Sequence, residues 1–184
     1  MSGHRSRLNQ FRCQTSKSSK VSSLSECAVY EGKAFGTFYN DEMPANDSVY
    51  VLIKPQPESD VFLGVRRLAL QDGNVDLMLW EDVSFTGEGT ELESHNTHRG
   101  STAEPTAAFY KDPTGIDISE ATAIEHMKVF NVQSQPRSRV PQTAEGTSWI
   151  LGPYNYVLEL KNNTASAIGF SMMYVWFELK AVAV

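Results

Sequence analysis

The sequence predicts an all-β fold: an antiparallel two-sheet β-sandwich or jelly roll with an extended basic N-terminal arm. Short extended segments recur with Gly, Pro, Asn and Asp turns between them, and no segment sustains a helical period of apolar residues. The clearest alternation is C-terminal, where two arms around a small polar loop predict an antiparallel hairpin. With 184 residues, one sizeable core is expected, so we assign residues 1–24 to the arm and 25–184 to one sandwich domain.

In the first half of the chain, strands are expected where apolar residues alternate with polar ones. The predicted strands are residues 28–38, interrupted at Gly32, and residues 48–54, 61–70 and 74–85. Residues 48–54 are apolar on both sides, which predicts a strand that is buried on both faces or covered by a neighbour. The alternation in 74–85 assigns one face to the core, with Glu81 as the exception on it. The apolar members of that face are Val75, Leu77, Leu79, Val83 and Phe85.

The second half of the chain mixes strands with longer polar stretches. Residues 91–101 are expected to follow an edge or a loop, 106–111 and 125–132 to be strands, 116–123 to form at most one helical turn, and 134–147 to be an exposed loop.

The two arms of the predicted hairpin are residues 156–161 and 168–179. The second arm is apolar on both faces from Met172 to Phe177, which predicts a central position or a subunit contact. Met172, Tyr174 and Trp176 are therefore candidates for an oligomer or sheet contact.

The net charge of −6 is divided unevenly along the chain. Residues 1–20 hold five bases and no acid, which leaves 11 of the 16 bases against all 22 acids in the rest. A basic arm on an acidic body predicts contact with an acidic surface, and the alternative is a solvated, disordered tail. The expected partner-binding residues of the arm are Arg5, Arg7, Arg12, Lys17 and Lys20.

The cysteines and the apolar runs bear on the compartment. Cys13 and Cys27 lack metal-ligand spacing and are expected to be free thiols in a reducing environment. No apolar run approaches the roughly 20 residues of a membrane helix, and the start lacks the apolar core of a secretory signal. We therefore expect assembly in a cytoplasm and no membrane partner.

The sequence contains one weak candidate for a metal site and no recognisable catalytic motif. Glu91, Glu93 and His95 would share one face of an extended segment, with His98 close by, and such ligands suit a divalent metal. The spacing typical of cupin-type metal enzymes is absent, so no metal and no cofactor are expected. The sequence also lacks a Gly-x-Ser-x-Gly elbow and a phosphate-binding glycine loop. We expect no catalytic residues and no enzymatic activity.

The C-terminal third carries a resemblance to a known family. The run from Trp149 to Tyr156, the positions Leu158, Leu160 and Asn162, and the closing strand up to Glu178 resemble the pattern W-I-L-x-P … Y-x-L-x-L-x-N … W-Y/F-E. That pattern is found in small structural proteins of tailed bacteriophages. Upstream, the segments 89–90 and 96–101 are similar to the same family's G-T … N-x-x-R-x-S.

The resemblance implies a β-sandwich component of the virion. We expect a capsid decoration or cement protein that binds and stabilises the shell as a homo-oligomer, with a homotrimer as the first hypothesis. Its expected partners are the major capsid protein or other virion proteins rather than nucleic acid, and its location is the virion, assembled in the host cytoplasm.

Two alternatives stay open. One is a head–tail or tail-surface or fibre sandwich that binds a receptor or a sugar, for which Trp80, Trp149 and Trp176 could supply an aromatic face. Their apolar surroundings favour core packing instead. The other alternative is a metal-dependent jelly-roll enzyme.

Overall fold

The computed structural model describes residues 28–57, 59–71, 73–130 and 149–180. Within these residues the chain forms eleven strands and one helical turn at 28–30. The extended conformation predicted for 28–30 is wrong, because backbone hydrogen bonds from Gly32 N to Val29 O and from Lys33 N to Ala28 O close a turn there. The strands are β1 (Ala34–Met43), β2 (Ser48–Lys54), β3 (Ser59–Leu70), β4 (Asn74–Glu81), β5 (Thr90–Glu91), β6 (Ser94–Asn96), β7 (Ala108–Lys111), β8 (Thr122–Phe130), β9 (Trp149–Leu151), β10 (Tyr156–Asn162) and β11 (Ile168–Lys180).

The strands form two antiparallel sheets that pack as a sandwich. Sheet A has the order β6-β1-β11-β3-β9, and sheet B has the order β5-β7-β2-β10-β4-β8. Without the short strands β5, β6 and β7, each sheet keeps four strands, in the orders β1-β11-β3-β9 and β2-β10-β4-β8. This is the strand order of a jelly roll. In a jelly roll, successive antiparallel strand pairs belong alternately to one sheet and to the other. The predicted antiparallel two-sheet fold is confirmed, and the predicted arm, residues 1–24, lies outside the described residues.

The prediction that the last two long strands form a hairpin is wrong. β10 lies in sheet B between β2 and β4, whereas β11 lies in sheet A between β1 and β3. The polar loop at 163–167 therefore crosses from one sheet to the other. Both strands still turn one apolar face towards the same core, and alternation alone does not distinguish a hairpin from such a crossing.

The main core fills the space between the two sheets. Its centre is an aromatic cluster in which the Phe109 ring lies 4.5 Å from that of Trp176 and 5.2 Å from that of Tyr174, measured between centroids. The three predicted core residues Val75, Leu77 and Leu79 are also in it, each at most 2% exposed. Aromatic residues contribute much of the buried apolar area in a sandwich of this size.

A second apolar cluster lies on the outer face of sheet B. Val83 and Phe85 belong to it with Trp80, so their predicted place in the main core is wrong. The reason is Asp82, whose φ of 62° breaks the strand alternation just after Glu81. The backbone NH groups of Asp82 and Val83 both donate to the carbonyl of Asn155, at 3.0 and 3.2 Å.

The loop between β7 and β8 covers this outer cluster. Ile116 and Ile118 pack against it, and an isolated bridge pairs Ser84 with Asp117. The helical turn considered for residues 116–123 is not formed: Asp117 pairs with Ser84, the chain bends at 119–120 with a hydrogen bond from Ala121 N to Ile118 O at 3.2 Å, and β8 starts at Thr122. β2 is thus buried on both faces, as predicted, with Val51 and Leu52 both at 0% exposure.

A buried carboxylate, Glu178, holds the β6–β7 segment against β11. Its two oxygens accept hydrogen bonds from Thr106 N at 2.8 and 2.9 Å, Thr106 Oγ1 at 2.8 Å, Ala107 N at 2.8 Å and Trp176 Nε1 at 3.1 Å. Glu178 is 8% exposed, and these donors replace the water that burial removes.

Asn162 has a similar role at the opposite end of the sandwich. It is fully buried, and its amide nitrogen donates to the carbonyls of Pro44 and Ser166, each at 2.8 Å. Its amide oxygen accepts from the Thr164 backbone NH at 2.9 Å and hydroxyl at 2.8 Å. One side chain therefore ties the β1–β2 loop to the β10–β11 crossing.

We expect replacement of Glu178 by Ala to destabilise the fold strongly. The change leaves the buried donors of Thr106, Ala107 and Trp176 without their acceptor, and the expected loss in free energy of unfolding is about 2–4 kcal/mol. Urea denaturation followed by tryptophan fluorescence measures it. Glu104→Ala, an exposed glutamate in the same segment, is the matched control and should change stability little; equal effects of the two variants would contradict the role given to Glu178.

Candidate interaction surfaces

The five basic residues predicted to bind a partner, Arg5, Arg7, Arg12, Lys17 and Lys20, lie outside the described residues. The described chain starts with the helical turn at 28–30, which packs against the outside of sheet A: Ala28 is 4% exposed and clusters with Ala34 and Phe177. The turn is closed by hydrogen bonds from Lys33 N to Ala28 O at 2.8 Å and from Gly32 N to Val29 O at 3.0 Å.

The three candidate contact residues of β11 lie between the sheets. Met172, Tyr174 and Trp176 are at most 1% exposed and belong to the main core. They form the contact between the two sheets within one chain. Because they have almost no accessible surface, they cannot also form a contact with a second subunit, and that part of the prediction is corrected.

The opposite side of β11 contributes to a partly exposed apolar surface, here called the outer face of sheet A. Two rows of paired residues cross it. In one row Met173 pairs with Phe38 on β1 and with Arg67 on β3. Phe38 is 55% exposed, and its ring lies 6.0 Å from that of His95.

The second row lies further along β11, where Phe62 pairs with Phe177 and with Ile150. Phe62 and Phe177 stack with their ring centroids 5.7 Å apart, and Ile150 is 59% exposed. The helical turn at 28–30 covers Phe177 but not Ile150. The outer face of sheet A thus carries apolar side chains in both rows, with the polar Arg67 and His95 at the sides of the first row, and only part of it is covered.

An acidic cleft of about 480 Å³ lies where the β1–β2 and β7–β8 loops meet. Four carboxylates line it, and the Tyr39 hydroxyl donates to Asp41 Oδ2 at 3.1 Å, with Asp112 Oδ1 at 3.5 Å. The remaining charged and aromatic lining residues are Glu42, Asp47 and Tyr50. Asp41 and Asp112 come from distant parts of the sequence, so no local motif could have revealed the cleft.

Burial raises the pKa of Tyr39 well above its ordinary value, and the nearby Asp112 and Asp41 charges raise it further because they oppose the tyrosinate anion. Burial and the charge of Glu159 likewise raise the pKa of Tyr50. Glu159 is 5% exposed and accepts hydrogen bonds from Trp80 Nε1 at 3.0 Å and Ser48 Oγ at 2.8 Å. Both phenols therefore stay neutral in the folded protein at ordinary pH.

The residues weighed as metal ligands are not brought together. Glu91 lies in β5 at the edge of sheet B, whereas His95 lies in β6 at the edge of sheet A. Leu92, between them, is 7% exposed and belongs to the core. In the part of the chain that the structure describes, no group of three or more His, Cys, Asp or Glu side chains could hold a metal ion.

The three tryptophans do not form an aromatic binding face. Trp176 is fully buried, and Trp80 and Trp149 are partly buried. The indole nitrogen of Trp80 donates to Glu159 at 3.0 Å, and that of Trp149 donates to Glu125 at 3.1 Å. The aromatic residues with large exposed fractions in the described residues are instead Tyr30, Phe38 and Tyr154.

Comparison with known proteins gives no family. No protein-family model and no curated protein matches the chain. Among solved structures, the chain is similar to the crystal structure of the Yersinia pseudotuberculosis-derived mitogen, with 10% sequence identity and a TM-score of 0.32. The matched region covers 81% of this chain and 97% of the mitogen. So distant a similarity indicates no function. Within the described ranges, no helix is long and apolar enough to cross a membrane.

Tyr39 makes the stability of the protein sensitive to alkaline pH. Because its folded-state pKa lies above its ordinary value of 10.0, its contribution is complete below pH 10 and is lost as the pH rises further. Asp112→Asn removes a negative charge beside the phenol and should lower the pKa of Tyr39. The pKa of Tyr39 is measured by titrating the ultraviolet absorbance of tyrosinate and subtracting the titration curve of the Tyr39→Phe variant. An unchanged midpoint in Asp112→Asn would contradict this electrostatic coupling.

Proposed function

We propose that this protein is a structural component of a tailed-phage virion, acting as a capsid decoration or cement protein. Its jelly roll is an architecture used by viral capsid and lectin domains. Many copies bind the major capsid protein and bridge neighbouring capsid subunits. Each copy adds a modest contact, and multivalent attachment makes the sum strong.

The observation that carries the proposal is the unequal distribution of basic and acidic residues between the start of the chain and the rest of it. The five bases of residues 1–20 precede a body in which 22 acids oppose 11 bases. An acidic body binds poorly to another acidic surface, whereas a basic arm is attracted to one. The arm, residues 1–24, therefore anchors the protein to acidic neighbours, and the body faces away from them.

The residues behind the phage resemblance have definable structural roles in this jelly roll. Trp149 starts β9 and donates to Glu125, Asn162 fixes the crossing between sheets, and Glu178 clamps the β6–β7 segment. These residues of the resembled pattern each hold two parts of this jelly roll together. The homotrimer, the virion location and the assembly in the host cytoplasm are parts of the same proposal.

Neutralising the arm should abolish binding to capsids. Replacing Arg5, Arg7, Arg12, Lys17 and Lys20 by Gln removes the attraction, so occupancy on purified capsid particles should fall at least tenfold at low salt, as should that of a variant lacking residues 1–24. Cosedimentation with particles measures occupancy. The matched control exchanges Arg and Lys at the same positions, which keeps the charge and should keep binding. Equal occupancy of the neutralised and natural proteins would refute the anchoring role.

The acidic cleft favours a second candidate function, a tail-surface or fibre protein that binds a receptor sugar. Its volume of about 480 Å³ lies within the usual range for ligand sites, and carboxylates are acceptors for sugar hydroxyls. A glycan array distinguishes the two functions. Specific binding that is lost in Asp41→Asn and retained in Glu104→Gln would favour the receptor function, and an array without signal would exclude it for the sugars displayed.

A further inference from the structure

One side of β1 is only partly paired. β11 pairs with all ten residues of β1, whereas β6 pairs on the other side with residues 35–37 alone. Along residues 38–43, no strand in the described part of the chain pairs with this second side. An unpaired strand edge presents backbone NH and carbonyl groups that can pair with another extended segment.

Backbone hydrogen bonds identify the residues of β1 whose groups face this open side. Lys33 O accepts from Glu178 N of β11 at 3.0 Å, and Ala34 O accepts from Thr97 N on the β6 side at 2.9 Å. The backbone groups of successive residues in a strand alternate between its two neighbours. The groups of Asn40, like those of Ala34, are therefore directed away from β11, and Asn40 is exposed.

The acidic cleft lies beside this open edge. Its lining includes Asp41 and Glu42 of β1, and its other walls are the start of β2 and the β7–β8 loop at 112–114. Strand pairing is incomplete on β2 as well, because β7 pairs with residues 51–54 but not with 48–50. The cleft is thus a gap in the side of the sandwich, bordered by one incompletely paired strand from each sheet.

The charge of the cleft indicates which kind of segment fits it. Its four carboxylates belong to Asp41, Glu42, Asp47 and Asp112. Within the described ranges, none of the four forms a salt bridge. Lys111 is nearby, with Nζ 5.8 Å from the centre of the Tyr39 ring. One ammonium does not balance four carboxylates, so the cleft attracts cationic side chains.

We propose that the open edge of β1 and the acidic cleft together bind an extended basic segment of a partner protein. The segment adds a strand to sheet A beside residues 38–43 and forms backbone hydrogen bonds with Asn40. Every second side chain of such a strand points to the inner side of sheet A, where the cleft lies, and these positions carry Lys or Arg. This interaction uses the acidic body rather than the basic arm, and it does not depend on the proposed virion function.

Binding of synthetic peptides to the full-length protein tests the proposal. The probe is a peptide of alternating Lys and Thr, and isothermal titration calorimetry at low salt measures its affinity. We expect this peptide to bind, whereas a peptide of alternating Glu and Thr should not, because the cleft repels it. Failure of the Lys-Thr peptide to bind, or equal binding of the two peptides, would overturn the proposal.

A methylated peptide separates strand addition from simple charge attraction. The Lys-Thr peptide with a methyl group on every backbone nitrogen keeps its charge but cannot donate backbone hydrogen bonds. It should bind about tenfold more weakly than the unmethylated peptide. Equal affinities would show that charge alone attracts the peptide and would also overturn the proposal.

Two matched pairs of variants locate the binding. Asn40→Pro removes an amide donor on the open side and no bond to β11, whereas Asn40→Ala keeps the donor, so only the proline variant should lose strand addition. Glu42→Gln removes one charge from the cleft and should weaken binding about threefold. Glu104→Gln, at an exposed position in the β6–β7 segment, should not. Tryptophan fluorescence verifies that each variant is folded, and equal binding within either pair would contradict the proposal.

Hydrogen exchange followed by NMR distinguishes the other possible occupants of the edge. The amide of Asn40 should exchange rapidly in the free protein and slowly with the Lys-Thr peptide bound. Slow exchange in the free protein would overturn the proposal. If that protection increased with protein concentration, the edge would be assigned to a second copy, and otherwise to a segment of the same chain.

Discussion

The fold depends on the insertion of its last two strands between strands that come much earlier in the chain. β10 completes sheet B between β2 and β4, and β11 completes sheet A between β1 and β3. Until both are in place, each sheet lacks its centre and the core has no Trp176 or Tyr174 to pack against Phe109. Such long-range pairing delays folding, because loop-closure entropy is lost before the contacts form.

Two buried polar side chains make this arrangement specific. Asn162 stands at the crossing between the sheets and Glu178 near the end of β11, and both satisfy backbone groups that would otherwise be buried without partners. A shift by two residues would keep each apolar face towards the core, but it would move Asn162 and Glu178 away from the backbone groups that they bond. The hydrophobic core thus supplies the stability, and the polar clamps select the topology.

The surfaces follow from the same topology. Because β11 is central and its inner side chains fill the core, its outward residues Met173 and Val175 add apolar side chains to the outer face of sheet A. The β1–β2 loop, which connects the two sheets, and the β7–β8 loop, which joins two strands of sheet B, bring carboxylates together in the acidic cleft at another part of the molecule. An apolar face and an acidic cleft are both surfaces through which a protein can bind a partner, and binding is the common basis of the functions proposed above.

The sequence by itself determined what depends on neighbouring residues. It predicted the all-β class, the core face of β4 through Val75, Leu77 and Leu79, the double burial of β2, and the separation of a basic start from an acidic body. These follow from side-chain alternation, turn residues and charge, which can be read within short windows.

Only the tertiary structure decided which strands pair and which residues meet. It placed β10 and β11 in different sheets, moved Val83 and Phe85 out of the main core after the φ reversal at Asp82, and brought Asp41 close to Asp112. It also separated Glu91 from His95, which a local pattern had grouped. The physical reason is that alternation specifies a strand's buried face but not its partner, and partner choice is settled by packing between residues far apart in the chain.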